Sequence, residues 1–356
     1  VIDATGSISV KSEELACATS NASGSQIGFG ISAESTRGTN RVYSTNVVTI
    51  SGTLNAGGSL TVLADSNASI TTKSQADSGG FFSGDELKAV TCVDRDVTVS
   101  VLAGSVLTAD YGDLIIKASA GENDDITTEA RISSGGVVAL GTAKVEVTLV
   151  SDVTVNISGD VTICSRFNNV GITADASAGT MTAEVTVNTS GLGVRPFSKV
   201  SLNATLHGTV NLNGTAGHLI SIEGRYVDIE ALISELYIYG YTYANGKALG
   251  ADVDADTEID VHAEYRTNVS YATILGHDSL TIASAAQPAY RSSNIYGVAT
   301  ARLNAIGEAV AEVNIDGWIN VHTSIGSGAT LMGADILVTY YRFNTDRSDY
   351  DRNVSG

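Results

Sequence analysis

Apolar and polar residues alternate in short runs along the whole chain, and the runs recur. Apolar side chains at alternate positions, usually followed by a small residue two further on, appear at Ile8/Val10/Ser12, Leu60/Val62/Ala64, Leu114/Ile116/Ala118, Val170/Ile172/Ala174, Val227/Ile229/Ala231, Leu280/Ile282/Ser284 and Ile336/Val338/Tyr340. Successive anchors begin 52, 54, 56, 57, 53 and 56 residues apart. Spacing this even marks a repeat architecture, in which each unit buries its apolar face against the next.

A second set of alternating pairs precedes the anchors: Val48/Ile50, Val99/Val101, Val155/Ile157, Val210/Leu212 and Ile319/Val321. Between anchors lie stretches rich in Ala, Ser, Thr and Gly. Of these, Ser78-Gly79-Gly80-Phe81-Phe82 and Ser134-Gly135-Gly136-Val137-Val138 read as aligned corners of a coil. Period-two alternation punctuated by Gly, Asn, Asp and Ser means strands and turns. Even Ile229 to Ile238, the stretch nearest to helical spacing, is β-branched enough to favour strand.

Two all-β repeat architectures fit these signals. A propeller blade takes about 40 to 50 residues and usually carries an aromatic signature in every copy. These copies drift in length and share no such residue, so a β-solenoid fits better. Leu60, Val62, Leu114, Ile116, Val170, Ile172, Val227, Ile229, Leu280 and Ile282 are then expected to point inward in aligned stacks. If one period winds three coils of roughly 18 residues, the chain makes about nineteen coils and a rod on the order of 90 Å long. Residues 1–356 would form a single elongated segment of about seven degenerate 52–57-residue repeats, with a Tyr-rich C-terminal third over 226–356 and no polar cap at either end.

Asp96-Val97-Thr98-Val99-Ser100-Val101, Asp152-Val153-Thr154-Val155-Asn156-Ile157 and Asp113-Leu114-Ile115-Ile116-Lys117-Ala118-Ser119-Ala120 resemble the repeats of giant bacterial filamentous adhesins of the filamentous-haemagglutinin and leukotoxin type. The resemblance runs over nearly the whole chain, on a degenerate motif that the fold largely dictates. It implies a right-handed parallel β-helix and a role in an extracellular fibre at the cell surface. The secretion domain and cell anchor of that group are not in this sequence, and the Tyr-rich third is less typical of it.

Composition narrows the function. Hydrophobic residues make up 43% and charged residues only 17%, with 2 prolines and 37 glycines, a profile that is not disordered. The net charge of -19, with no cluster of Lys or Arg, gives no electrostatic footprint for nucleic acid or anionic lipid. No apolar run approaches the roughly 18 residues of a membrane-spanning helix. The chain opens on Val1 without a basic leader, which reads as a segment of a longer or processed protein. Cys17, Cys92 and Cys164 have no metal-ligand spacing and are expected to be small buried hydrophobes.

Candidate sites are few. Asp252, Asp254, Asp256, Glu258 and Asp260 alternate, so at strand spacing all five carboxylates share a face. Such a row could meet a hard cation such as calcium, or simply be a solvated face that blocks edge pairing. Gly121-Glu122-Asn123-Asp124-Asp125 reads as a turn. Tyr237, Tyr239, Tyr241 and Tyr243 alternate on one strand face, either as a surface for sugar or a neighbouring fibre or as cross-strand packing. Trp318 is expected beneath a loop. Sequons for N-glycosylation fall at Asn21, Asn67, Asn156, Asn188, Asn203, Asn213, Asn268 and Asn353. The five histidines show neither metal-ligand spacing nor a nucleophile motif beside them, and no catalytic residue or cofactor is assigned.

The reading that follows is a non-enzymatic structural or adhesive segment of a secreted surface fibre. Its partners would be neighbouring copies or further repeats, surface glycans, or host and cell-surface proteins. The alternative is a subunit of a self-assembling extracellular filament or sheath, built by end-to-end stacking. A β-helix polysaccharide lyase or hydrolase is a third reading, disfavoured because no long distinctive loop interrupts the repeat.

Overall fold

In the computed structural model, which describes residues 1–285, 293–304 and 306–341, the chain is all-β, with no helix among the described residues. The strand pairings are parallel, and each joins a residue to the one a full period later. Ile8 pairs with Leu60, Leu60 with Leu114, Leu114 with Val170, Val170 with Val227, Val227 with Leu280, and Leu280 with Ile336. The anchors thus form one continuous ladder of a parallel β-solenoid. All ten anchor residues expected inside, from Leu60 to Ile282, are fully buried. The two glycine corners align as expected, Gly79 on Gly135 and Gly80 on Gly136.

The expected coil size is overturned. One period closes one wide coil rather than three narrow ones, because a residue's partner lies a whole period away, as in Leu114 to Val170. Seven stacked anchors rise roughly 30 Å at about 4.8 Å per coil, against the roughly 90 Å of the narrow-coil expectation. Strand alternation is the same in either case, so the pattern alone could not separate them. A second correction concerns Ile319/Val321. These residues stack on Ala263 and Tyr265, whereas the column of Val210/Leu212 continues through Thr267/Val269 to Thr323/Ile325. Two inward pairs on one long strand look alike in sequence.

A single coil shows how the chain closes. The anchor Leu114–Ala120 ends at Gly121, whose φ of 78° lies in the left-handed region that glycine tolerates. Asp125–Ser158 first runs outward, reverses at Gly135-Gly136 and returns, and the short strand Val161–Ser165 leads to the next anchor. The outward and return segments form a flat arm with a thin interior. There Thr72 and Thr91 hydroxyls meet at 2.7 Å, Thr91 and Thr128 at 2.7 Å, and Thr242 and Thr257 at 2.9 Å. Only small side chains fit, and Ala89, Ala130, Ala143 and Ala183 are buried there. Leu114, Ile116, Val155, Ile157 and Ile163 fill the wider body beside the anchors.

The interior also takes large groups where the neighbouring coil makes room. Tyr265 is fully buried above Gly208, and its hydroxyl donates to the Ala176 carbonyl at 2.7 Å. A Cβ on Gly208 would lie 2.7 Å from the Tyr265 ring, so the glycine is the space that the ring occupies. At the junction of arm and body, Arg95 is 1% exposed and reaches Asp124 of the next coil. Its Nη1 donates to Asp124 Oδ1 at 2.9 Å, its Nη2 to Asp124 Oδ2 at 2.5 Å, and its Nε to Ser151 Oγ at 2.9 Å.

The first coil differs from the rest. Its inward positions include Ser12, Glu14, Glu34, Asn40, Ser44 and Asn46, on the columns of Ala64, Ser66, Asp85, Thr91, Arg95 and Val97. Asn46 Nδ2 donates to the carbonyls of Ser12 and Asp65, and Asn40 Nδ2 to the Thr71 carbonyl and the Thr72 hydroxyl. These polar residues fall on the inward phase of the alternation, so the interior of the first coil is polar where later coils are largely apolar.

Removing one partner of the buried ion pair leaves the other charge uncompensated, which costs about 3–5 kcal/mol. Arg95→Met should therefore lower stability by that order in chemical denaturation. The double variant Arg95→Met/Asp124→Asn should recover part of the loss, and a single-variant loss below about 1 kcal/mol would show that the pair does not hold the junction.

Candidate functional site

In-register stacking turns each outer face of the arm into columns of side chains. On the return-strand face, Asp252, Asp254, Asp256, Glu258 and Asp260 lie in a row pointing outward, as their alternation requires. Arg195 Nε lies 3.3 Å from Asp252, Lys199 Nζ 3.1 Å from Glu258, and His262 Nε2 2.9 Å from Asp260. The next coil continues the acidic columns with Glu308, Glu312 and Asp316. Partial burial and neighbouring carboxylates raise the Asp254 and Asp256 carboxyls. Among the described residues no group of three or more His, Cys, Asp or Glu side chains is placed to hold a metal ion. On the lower coils the same face carries a column of cations, Arg37, Lys88, Lys144 and Lys199. Lys88 pairs with Glu146 at 2.6 Å, so part of this charge is answered one coil away.

The opposite face carries the tyrosines. Tyr237, Tyr239, Tyr241 and Tyr243 point outward from Leu236–Lys247, and Tyr296 of the next coil stacks on Tyr239. The Tyr239 ring lies 5.7 Å from Tyr296 at 7° and 6.5 Å from Tyr241 at 9°. These nearly parallel rings make an aromatic patch across two coils. Partial burial, with Glu184 nearby, raises the Tyr239 and Tyr241 phenols, so they remain neutral donors at physiological pH.

Several sequence expectations are corrected here. All three cysteines lie on outward positions, Cys17 exposed and Cys92 and Cys164 half-buried, because each is out of phase with the inward residues beside it. Trp318 is 47% exposed and stacks on His262 of the preceding coil, 5.0 Å between centroids, rather than beneath a loop. The histidines serve pairs between coils, His207 with Asp152 at 2.6 Å and His277 with Glu223 at 3.0 Å.

The sequons divide in two. Asn156 and Asn268 flank Asn211 in an amide ladder with both hydrogen bonds at 2.9 Å, and Asn188 accepts from Asn245 at 3.1 Å. Asn67 is nearly buried, donating to Asp65 and accepting from the Asn123 amide. Asn21, Asn203 and Asn213 are exposed, and Asn353 lies outside the described residues.

The segment Gly121–Asp125 makes the expected turn, and its ionic role at Asp124 was missed. The signal available in the sequence was Arg95 itself, which stands on the inward phase between Val93 and Val97. Beside it lies a second polar corner. Lys117 Nζ sits 2.8 Å from Glu122 and 3.7 Å from the buried Asp175, and Ser177 Oγ donates to Asp175 at 2.7 Å. No protein-family description, no curated protein and no solved structure matches the chain.

Burial raises the Asp175 carboxyl above its ordinary value of 3.8 more than Lys117, Ser177 and Ser234 lower it. The folded chain therefore keeps this proton to a higher pH than the unfolded chain does. The associated stability is present below the ordinary value and is lost as pH rises through the raised one. Asp175→Asn should flatten that part of the profile in denaturation measured across pH, and an unchanged slope would assign it to other groups.

Proposed function

We propose that this chain is a non-enzymatic segment of a secreted surface fibre, a right-handed parallel β-helix of about seven degenerate repeats. On this reading it acts at the cell surface through weak, repeated contacts with glycans or proteins. The observation that carries the reading is the pair of flat outer faces, on which in-register stacking repeats the same side-chain positions from coil to coil. The patch of Tyr237, Tyr239, Tyr241, Tyr243 and Tyr296 supplies the most chemically defined of these contacts. Stacked phenol rings offer an apolar plane with hydrogen-bonding rims, which suits the face of a sugar ring. One such contact is weak. Repetition along a fibre raises its strength through effective concentration, with no deep pocket required.

The ionisable groups of the outer faces favour this passive role over hydrolysis. Glu146 and Asp278 each pair with a cation one coil away, Lys88 and Arg225, while Asp152 and Glu223 meet the His207 and His277 rings of the next coil. A filament of copies stacked end to end is the second reading. Simple head-to-tail stacking, however, would set Ile315, Ile319 and Val321 against Asn40, Ser44 and Asn46, a mismatch of apolar against polar. The fibre segment is therefore the preferred reading.

Chain displayed at high density on beads should be retained on at least one surface in a panel of immobilised polysaccharides and cell-surface glycoproteins. Tyr239→Ser/Tyr241→Ser should weaken that retention by about tenfold, the scale of one lost stacking contact per copy. Retention on no surface, or retention indifferent to the double variant, would remove the reading.

A further inference from the structure

The tip of the arm in the first two coils holds polar groups that the fold does not require. Glu34 and Asp85 are register partners on the inward face, and so are Ser32 and Ser83 two residues before them. These four positions form a block about 4.8 Å by 6.7 Å, set by coil spacing and strand rise. Higher in the stack the same columns are apolar. Ser83 is followed by Ala139, Val194 and Ala251, and Asp85 by Gly141 and Pro196, with Val253 on the next coil. Ala139, Val194, Ala251 and Val253 belong to a compact apolar cluster. Upper coils thus close this tip with hydrophobic contacts, and lower coils replace them with two acids and two hydroxyls.

Ser32, Ser83 and Asp85 are buried and Glu34 is half-buried, and all four are incompletely satisfied. Asp85 is 4% exposed; its Oδ2 accepts from Ser78 Oγ at 2.6 Å, and its Oδ1 has no hydrogen-bond partner in the chain. Glu34 Oε1 accepts from Thr36 Oγ1 at 3.3 Å, whereas its Oε2 is buried without a partner. The Ser32 and Ser83 hydroxyls are likewise buried and unpartnered. Unsatisfied buried polar atoms cost about 1–3 kcal/mol each, more when charged, so a cluster of them calls for an explanation.

The backbone makes room in the same place. A Cβ on Gly24 would fall 1.0 Å from Glu34 Oε1, so the carboxylate fills the space that this glycine leaves. A Cβ on Gly80 would lie 3.0 Å from the Gly28 carbonyl oxygen, 3.1 Å from that of Gly30 and 3.3 Å from Ser32 Oγ. Carbonyl and hydroxyl oxygens therefore converge around Gly80, on the Ser32 side of the tip. The charged groups acting on Asp85 are Glu34 and Asp77, both acidic, so no counter-charge acts on it among the described residues.

We infer that the arm tip binds a calcium ion through the carboxylates of the half-buried Glu34 and the buried Asp85, with the Ser32 and Ser83 hydroxyls completing an all-oxygen site. Two carboxylates balance one divalent charge. An irregular set of carboxylate, hydroxyl and carbonyl oxygens suits calcium, which accepts six to eight oxygens in flexible geometry, better than magnesium, which demands a near-ideal octahedron. The absence of His or Cys from the set disfavours zinc. This site is distinct from the outer row Asp252–Asp260, whose carboxylates point to solvent.

Chelator-treated chain 1–356 should bind calcium saturably in isothermal titration calorimetry at neutral pH, and its melting temperature should rise with calcium. Asp85→Asn and Glu34→Gln should each weaken that binding by at least about tenfold, since affinity follows the number of charged ligands. Asp256→Asn, on the outer row, should leave it unchanged. Circular dichroism would confirm that each variant is folded, and Glu34→Gln, in the first coil, stands in should Asp85→Asn not fold. Wild-type chain that takes up no calcium at millimolar concentration would overturn the inference in favour of a proton shared by the two carboxylates. Binding that survives both tip variants, or that falls equally with Asp256→Asn, would also overturn it. Neither outcome bears on the tyrosine patch.

Discussion

Parallel in-register stacking is the constraint on which everything else in this protein rests. Each residue sits directly on the one a period earlier, so every position belongs to a column and must tolerate its own neighbours above and below. Columns of Val, Leu and Ile satisfy that condition by burial alone. Polar columns need more specific answers. Asn156, Asn211 and Asn268 pass a hydrogen bond from coil to coil, which identical amides can do indefinitely. Like charges cannot, so the cation column through Lys88 and Lys199 leans on Glu146 and Glu258, one row aside and one coil up.

The wide coil adds a second constraint. A coil of about 55 residues would collapse or gape if its whole interior were filled with large aliphatic residues. The chain divides it into a body filled by Leu, Ile and Val and a flat arm lined by Ala, Ser, Thr and Gly. Arg95 and Asp124 join the two at the hinge of that division. Their bidentate geometry and the Ser151 contact satisfy most of what burial takes away, which is the condition for a buried ion pair to be tolerated.

Interior polarity is also graded along the stack. The first coils carry Glu14, Glu34, Asp85, Asn40 and Asn46 on inward columns, where later coils carry alanine, valine and isoleucine. The grading gives the two ends different surface chemistry. It also concentrates unsatisfied oxygens at the arm tip, where a bound cation would relieve them. The outer faces are graded too: the return-strand face carries a cation column on the lower coils and the acidic row on the upper ones, and the opposite face carries its tyrosines on the upper coils.

Strand identity, the inward phase of the anchors, the glycine corners and the outward rows of Tyr237 to Tyr243 and Asp252 to Asp260 were determined by the sequence, because period-two alternation assigns faces without reference to any partner. Coil size was decided only by tertiary structure, since alternation is identical in a narrow and a wide coil and only the pairing of Leu60 with Leu114 distinguishes them. The same holds for Arg95 with Asp124, 29 residues apart, and for Glu34 with Asp85. Local pattern places each of these side chains on a face, but whether two charges meet depends on how far the chain travels before it stacks upon itself.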